Sequence, residues 1–183
     1  MKKQTALLFI FSLLFATTVF GQAKKPVYHP CFLMDSVEAH LPFIQQNAYR
    51  IFLDDTLGCR QMLLDNIGVL YVKTGDKKYL TTLEVIHQRA SDKVENFYTD
   101  IIKRFCEKDF TAFARELYLA RGQYYNLERE LIATMNMLVD GRSLKLKYMG
   151  ALNVQIDKAR DKKDYNATSF WEKLKKKIED EKY

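Results

Sequence analysis

Glu84 and His87 stand three residues apart, a spacing that sets a carboxylate and an imidazole on neighbouring positions of one helix face, where they could share a metal ion. Two-metal carboxylate sites repeat that E-x-x-H spacing and add further glutamates from facing helices. Here the remaining histidines are His29 and His40, and neither follows a glutamate by three residues. What is left of the metal reading is a mononuclear site for a divalent cation such as zinc, assembled from His87, Glu84, His40 and Glu38. His87 also falls between Leu83 and Ala90 on an apolar stripe, where one hydrogen bond would satisfy it as an ordinary core residue.

Other chemistries leave less trace. No G-x-S-x-G turn surrounds Ser36, Ser91, Ser143 or Ser169, and the glycines are scattered rather than gathered into a phosphate-cradling loop. The chain therefore reads as non-enzymatic, with no cofactor, or a divalent metal as the alternative. Three cysteines, Cys31, Cys59 and Cys106, contain no C-x-x-C pair, so one structural disulfide and one spare thiol are expected. If residues 35–73 form one long helix and the next folds back on it at Gly75, Cys106 lies opposite the start of that helix and Cys59 well down it, roughly 20 Å away at 1.5 Å per residue, too far for bonding. The preferred pair is then Cys31 with Cys106, leaving Cys59 buried and reduced.

Tyr118 and Tyr125 lie close to Arg121 in a chain that holds eleven Tyr and twelve Phe. Tyrosine and arginine are enriched at the centres of protein interfaces, so Tyr118, Arg121 and Tyr125 form a candidate interaction patch. Tyr124, beside them, fits the core stripe instead.

Positioning these groups falls to helices. Only seven Gly and three Pro punctuate 183 residues, too few turn residues for a many-stranded sheet. Lys2 and Lys3 precede an apolar run from Ala6 to Phe15, and small residues follow at Gly21 and Ala23. That is the pattern of a secretory signal peptide over 1–23, cleaved after Gly21 or Ala23, and it directs the chain to a periplasmic or extracellular space. Residues 24–34, with Pro26 and Pro30, predict an extended arm. Residues 35–183 then form a single domain, within the usual range of about 100 to 200 residues. Lys2 and Lys3 supply two of the formal +6 charges, so the remainder carries +4, too mild a balance to imply nucleic acid.

Helical spacing runs through Ile44, Ala48, Ile51, Phe52, Cys59, Met62, Leu63, Ile67 and Leu70, with Pro42 and Gly58 as kink positions. Gly75-Asp76 predicts a helix stop followed by an N-cap. A second stripe runs from Leu80 to Phe105, charge interrupts it at 107–109, and a third runs from Phe110 to Leu138 across Gly122. Asp140-Gly141 ends that helix, Ser143 precedes another lined by Tyr148, Leu152 and Ile156, and Ser169 with Glu172 fits a capping box for a short last helix. The expected fold is all-α: an antiparallel up-down bundle of four long helices plus a short C-terminal one.

The alternative architecture comes from a resemblance. Ile67, Gly68, Tyr71, Gly75 and Asp76 resemble the first helix and turn of a tetratricopeptide repeat, and Tyr118, Gly122, Tyr124 and Leu127 resemble them again. The resemblance implies stacked helical hairpins, although the two turn glycines are spaced by more than the family's repeat of about 34 residues. It implies no binding residue.

The last helix alternates Lys173, Lys175, Lys176 and Lys177 with Glu172, Glu179 and Asp180, a pattern expected of a solvated face. Its apolar edge, Phe170, Trp171, Leu174 and Ile178, is expected to dock on the helical core, with contact to a membrane surface as the alternative. The function these features predict is binding of another macromolecule, most simply a protein partner in the cell envelope, as an adaptor or an inhibitor. The alternatives are a metal-binding protein using Glu84 and His87, or an envelope-associated structural protein.

Overall fold

Proline at the start of a helical turn gives up an amide that would have no partner there, and its fixed φ suits the first turn. Pro30 does this. In a computed structural model, which describes residues 29–53, 58–139 and 142–180, Pro30–Ser36 forms a 3-10 helix with Pro30 and Leu33 buried. The expected extended arm over 24–34 is thus corrected for its second half: the packed structure already includes Pro30. The leader over 1–23, residues 24–28 and the Asp140-Gly141 turn lie outside the described residues.

Six helices follow: α1 (Val37–Leu53), α2 (Cys59–Thr74), α3 (Lys77–Leu119), α4 (Tyr125–Asn136), α5 (Leu144–Asp161) and α6 (Tyr165–Asp180). Between α4 and α5, β1 (Leu138–Val139) and β2 (Arg142–Ser143) make a two-residue antiparallel pairing, Leu138 opposite Ser143. The described residues are helical apart from this pairing and short connections, as expected of an all-α chain, but not with the expected division. The long first helix is two, because α1 ends at Leu53 and Gly58 (φ 70°) precedes a fresh start at Cys59. The irregular backbone of α1 falls at Asn47 (φ −115°, ψ 16°), whose side-chain amide donates to the Phe43 carbonyl at 3.0 Å.

Gly75 and Asp76 behave as expected. Gly75 ends α2 at φ 69°, and the Asp76 carboxylate accepts the Lys78 amide at 3.0 Å, the left-handed stop and the N-cap that these residue types supply.

Within α3, Ala90 (φ −141°, ψ 31°) and Asp109 (φ −164°, ψ 92°) leave helical geometry. The first is a fold-back. Tyr98 donates its hydroxyl to the Leu83 carbonyl at 2.6 Å, and the His87 and Tyr98 rings meet edge to face with centroids 4.8 Å apart. Along a straight helix residues 83 and 98 would be about 22 Å apart. Residues 77–89 and 91–108 are therefore the two arms of a hairpin. At the second break the Asp109 carboxylate accepts the Ala112 amide at 2.9 Å and the Thr111 hydroxyl at 3.0 Å, which makes Asp109 the cap of 110–119. The charge interruption expected at 107–109 is this cap.

The third stripe does not remain one helix through Gly122. Arg121 (φ 50°) and Gly122 (φ 85°) turn the chain before α4 begins. Similarly, α6 starts at Tyr165 under a cap from Asp164, whose Oδ1 accepts the Ala167 amide at 2.9 Å. Ser169 lies inside the helix, so the Ser169–Glu172 capping box is corrected. Asp164 sits one turn earlier and accepts the free amides first.

Contacts along the chain fix the sense of the arms. Glu38 pairs with Lys78, Gln45 donates to Thr82, and Arg89 reaches the Gln45 carbonyl at 2.7 Å, so α1 runs in the same direction as 77–89. Thr81 meets Tyr124, Glu84 meets Asn126 and Leu127, and His87 meets Glu130, so α4 does too. In the other layer Arg60 reaches the Lys93 carbonyl and Asp65 pairs with Arg104. Gly68 lets α2 approach closely, since a Cβ there would lie 3.1 Å from Ile101 Cγ2.

The core follows these two layers. Leu80, Leu83, Ile86, Ile101, Ile102 and Phe105 of α3 are buried with Ile44, Ile51 and Phe52 of α1 and Leu63, Leu64 and Ile67 of α2. Met62, expected on the core stripe, is 53% exposed. Trp171, Leu174 and Ile178 dock α6 on its neighbours, as expected for the apolar edge of the last helix. Among the described residues no helix is long and apolar enough to cross a membrane.

Candidate functional site

Glu84 and His87 share one side of the first arm of α3, as their spacing predicts, and both face α4. Each meets its own partner there. Glu84 Oε1 accepts the Asn126 amide at 3.0 Å and the Asn126 side chain at 2.7 Å, while Oε2 accepts the Leu127 amide at 3.0 Å. A carboxylate at the N-terminus of α4 satisfies amides that have no partner within the helix and meets the positive end of its dipole. His87 Nε2 lies 2.8 Å from Glu130 Oε1, with both side chains largely buried. Nδ1 of His87 is buried without a hydrogen-bond partner, and so is Oγ1 of Thr134, one turn beyond Glu130.

Glu38 and His40 do not join this pair. Glu38 is engaged with Lys78 at the surface, and His40 is half-buried on α1. Among the described residues the one grouping of three metal-ligating types within reach of one another is His29, Cys31 and Cys59. There the two sulfurs are bonded to each other.

That bond corrects the expected disulfide. Cys31 pairs with Cys59, Cα atoms 5.1 Å apart, and Cys106 is the buried free thiol. The expectation measured Cys59 along a continuous helix. Because α1 stops at Leu53, Cys59 is instead the first residue of α2, and the 3-10 helix carrying Cys31 packs against α2. Burial pushes the Cys106 thiol up to about 12, helped by Glu107, so it is chemically quiet.

The interaction patch is divided by the structure. Tyr118 is 41% exposed and stacks on Phe170 of α6, ring centroids 3.8 Å apart; Tyr125 is 60% exposed at the start of α4. Arg121 sits exposed in the turn between them. The two tyrosines line a row of three adjoining clefts along α6. The first, about 550 Å³, lies between 111–119, the end of α5 and the start of α6, and includes Arg115, Lys158 and Lys162. A small one of about 180 Å³ opens beside Tyr118 and Phe170, against Leu117, Leu131 and Leu174. The third, about 570 Å³, lies between α4 and α6 and is lined by Tyr125, Ile132, Arg129, Lys173 and Lys176.

The charged residues of α6 are exposed, apart from half-buried Lys175, as expected of a solvated face, but several of them are paired. Glu172 pairs with Arg160, Lys175 reaches Asn153, and Lys177 pairs with Glu128. Lys173 and Lys176 are left over. With Arg115, Arg129, Lys158 and Lys162 they make six cations around the clefts that carry no ion pair or side-chain hydrogen bond among the described residues. Sequence reasoning passed over Arg115, Arg129, Lys158 and Lys162, because they sit on three different helices and only packing gathers them. Lys158 and Lys162, at i and i+4 near the end of α5, were the one local signal.

Comparison of the chain with protein-family models, curated proteins and solved structures gives no match.

Proposed function

We propose that this chain is an exported, non-enzymatic binding protein, built from stacked helical hairpins, that recognises another macromolecule of the cell envelope along α6. The observation that carries the reading is the set of six unpaired cations around the exposed rings of Tyr118 and Tyr125. Unpaired charge beside exposed aromatic surface is what a polar-rimmed interface presents before its partner arrives. The side chains with the best acid-base credentials, Glu84 and His87, are occupied in holding α4 to α3. Export is supported by the Lys2-Lys3 and apolar N-terminal pattern and by a disulfide, a bond that persists in oxidising compartments.

Purification from the native envelope at natural abundance tests the reading. The chain should bring down a stoichiometric companion that is lost with Tyr125→Ala and Lys176→Glu, with circular dichroism and melting unchanged. Retention of the companion by both variants would remove the clefts from consideration.

A further inference from the structure

We propose that the clefts along α6 take an extended acidic segment of a protein, with carboxylates at both ends and an aromatic or other apolar side chain between them. This rests on the binding reading above and names the chemistry of its partner.

The arrangement of charge and apolar surface is bipartite. At one end Arg115, Lys158 and Lys162 surround the first cleft; its one carboxylate, Asp164, is turned to the Ala167 amide as a helix cap. At the other end Arg129, Lys173 and Lys176 share the cleft with Tyr125 and Ile132; of its two carboxylates Glu128 is taken up by Lys177, and Asp180 still leaves the lining net positive. Between them Ala114, Leu117, Leu131 and Leu174 make an apolar floor beside the Tyr118–Phe170 stack, with Lys173 and the Glu128–Lys177 pair at its edge. A ligand that fills both ends must carry negative charge twice and lose none of it in the middle.

Length narrows the ligand further. From Asn166, which lines the first cleft, to Lys176, which lines the last, the rise along α6 is about 15 Å. An extended chain covers that span in about five residues at roughly 3.3 Å each. Carboxylates about five residues apart would therefore reach both cation groups, and a side chain midway would fall on Tyr118 and Phe170.

A bilayer fits less well. The cations line recesses rather than a convex face, and the apolar residues a membrane helix would insert, Trp171, Leu174 and Ile178, are buried in the packing of α6. Charge complementarity of this kind sets register and on-rate, and it weakens as salt shortens the screening length.

The test uses the full mature chain and a fluorescein-labelled peptide in which paired aspartates flank a central tryptophan with a glycine on either side. Anisotropy should show saturable binding that weakens about tenfold when the tryptophan becomes alanine. A similar loss should follow protein substitutions at either end, Arg115→Glu with Lys158→Glu, or Lys173→Glu with Lys176→Glu. Arg50→Glu, in a separate cleft on α1, should leave affinity unchanged. Absence of peptide binding, or an equal loss with Arg50→Glu, overturns the proposal. So does binding of vesicles of equal parts phosphatidylglycerol and phosphatidylcholine by a chain that ignores the peptide. If the native companion is still lost in the cleft variants while the peptide fails, the occupant is wrong and the binding surface stands; if the companion is kept, the surface itself is wrong.

Discussion

The hydroxyl of Tyr98 lies 2.6 Å from the carbonyl oxygen of Leu83, fifteen residues back along what is nominally one helix. That single hydrogen bond records the fold-back at Ala90. Tyr98→Phe keeps the ring against His87 but removes the donor from a fully buried position. The expected cost is about 1 to 3 kcal/mol, read as a lower urea midpoint with an unchanged slope.

Buried acids of high pKa give the alkaline limb of stability its shape. Burial lifts Tyr71, Tyr148 and Cys106 to about 12 from ordinary values of 10.0 and 9.0, and pushes Tyr98 well above its own. Groups whose folded values are raised bind protons more tightly in the folded state, so their contribution is complete below the unfolded values. It is lost as pH rises from about 9 towards 12. Melting temperature should be flat around neutrality and fall across that window, and Cys106→Ala should soften the first part of the fall. A thiol reagent should label Cys106 only after unfolding.

Glu84 caps α4 from another element. Glu84→Ala strips three donors of their acceptor, two of them backbone amides at a helix N-terminus, and should cost about 2 to 3 kcal/mol. Glu84→Gln keeps one acceptor oxygen and should cost less. Amide exchange should rise first at residues 126–129, while the first arm of α3 keeps its protection.

His87 and Glu130 tie the same two helices one turn further on. A double-mutant cycle with His87→Ala and Glu130→Ala should show favourable coupling of about 0.5 to 3 kcal/mol. Additive losses would mean that the two side chains stabilise the fold independently.

The disulfide prediction is a mapping experiment with an energetic companion. Non-reducing digestion should yield one peptide pair, containing Cys31 and Cys59, with Cys106 free. Closing a loop of 28 residues constrains the unfolded chain by about 3.5 kcal/mol on the entropic account. Cys59→Ser should therefore lower stability far more than Cys106→Ser.

How much of this was legible depended on what each signal reports. Apolar periodicity reports which face is buried, and it did so well: Leu80, Leu83, His87, Ala90, Val94, Ile101 and Phe105 are all buried. It says nothing of direction. The stripe keeps its phase through Ala90, so the hairpin reads as one helix, although Ser91 and Asp92 directly after it are residue types that favour turns and helix caps. Gly75-Asp76 and the charges at 107–109 were readable because their side chains act on the adjacent backbone. The partnership of Cys31 and Cys59 was not, because it depended on whether the chain broke before Gly58, and apolar spacing on both sides was the same. The candidate patch was half visible: tyrosines near Arg121 stood out as a local cluster, whereas the cations around them come from α3, α4, α5 and α6 and meet only in the folded chain.

Serial packing has a consequence for how the molecule comes into being. The 3-10 segment and α1 meet α2 and α3, α3 meets α4, and α5 meets α4 and α6, so each arm finds most of its neighbours just behind it. A chain that threads out end first, from a ribosome or a translocation pore, can settle the arms before Ala120 while the later helices have yet to appear. The clefts along α6 need the last helix, so the proposed binding surface is the final part to exist, and a chain that stops before Tyr165 would lack it whatever the state of its earlier arms.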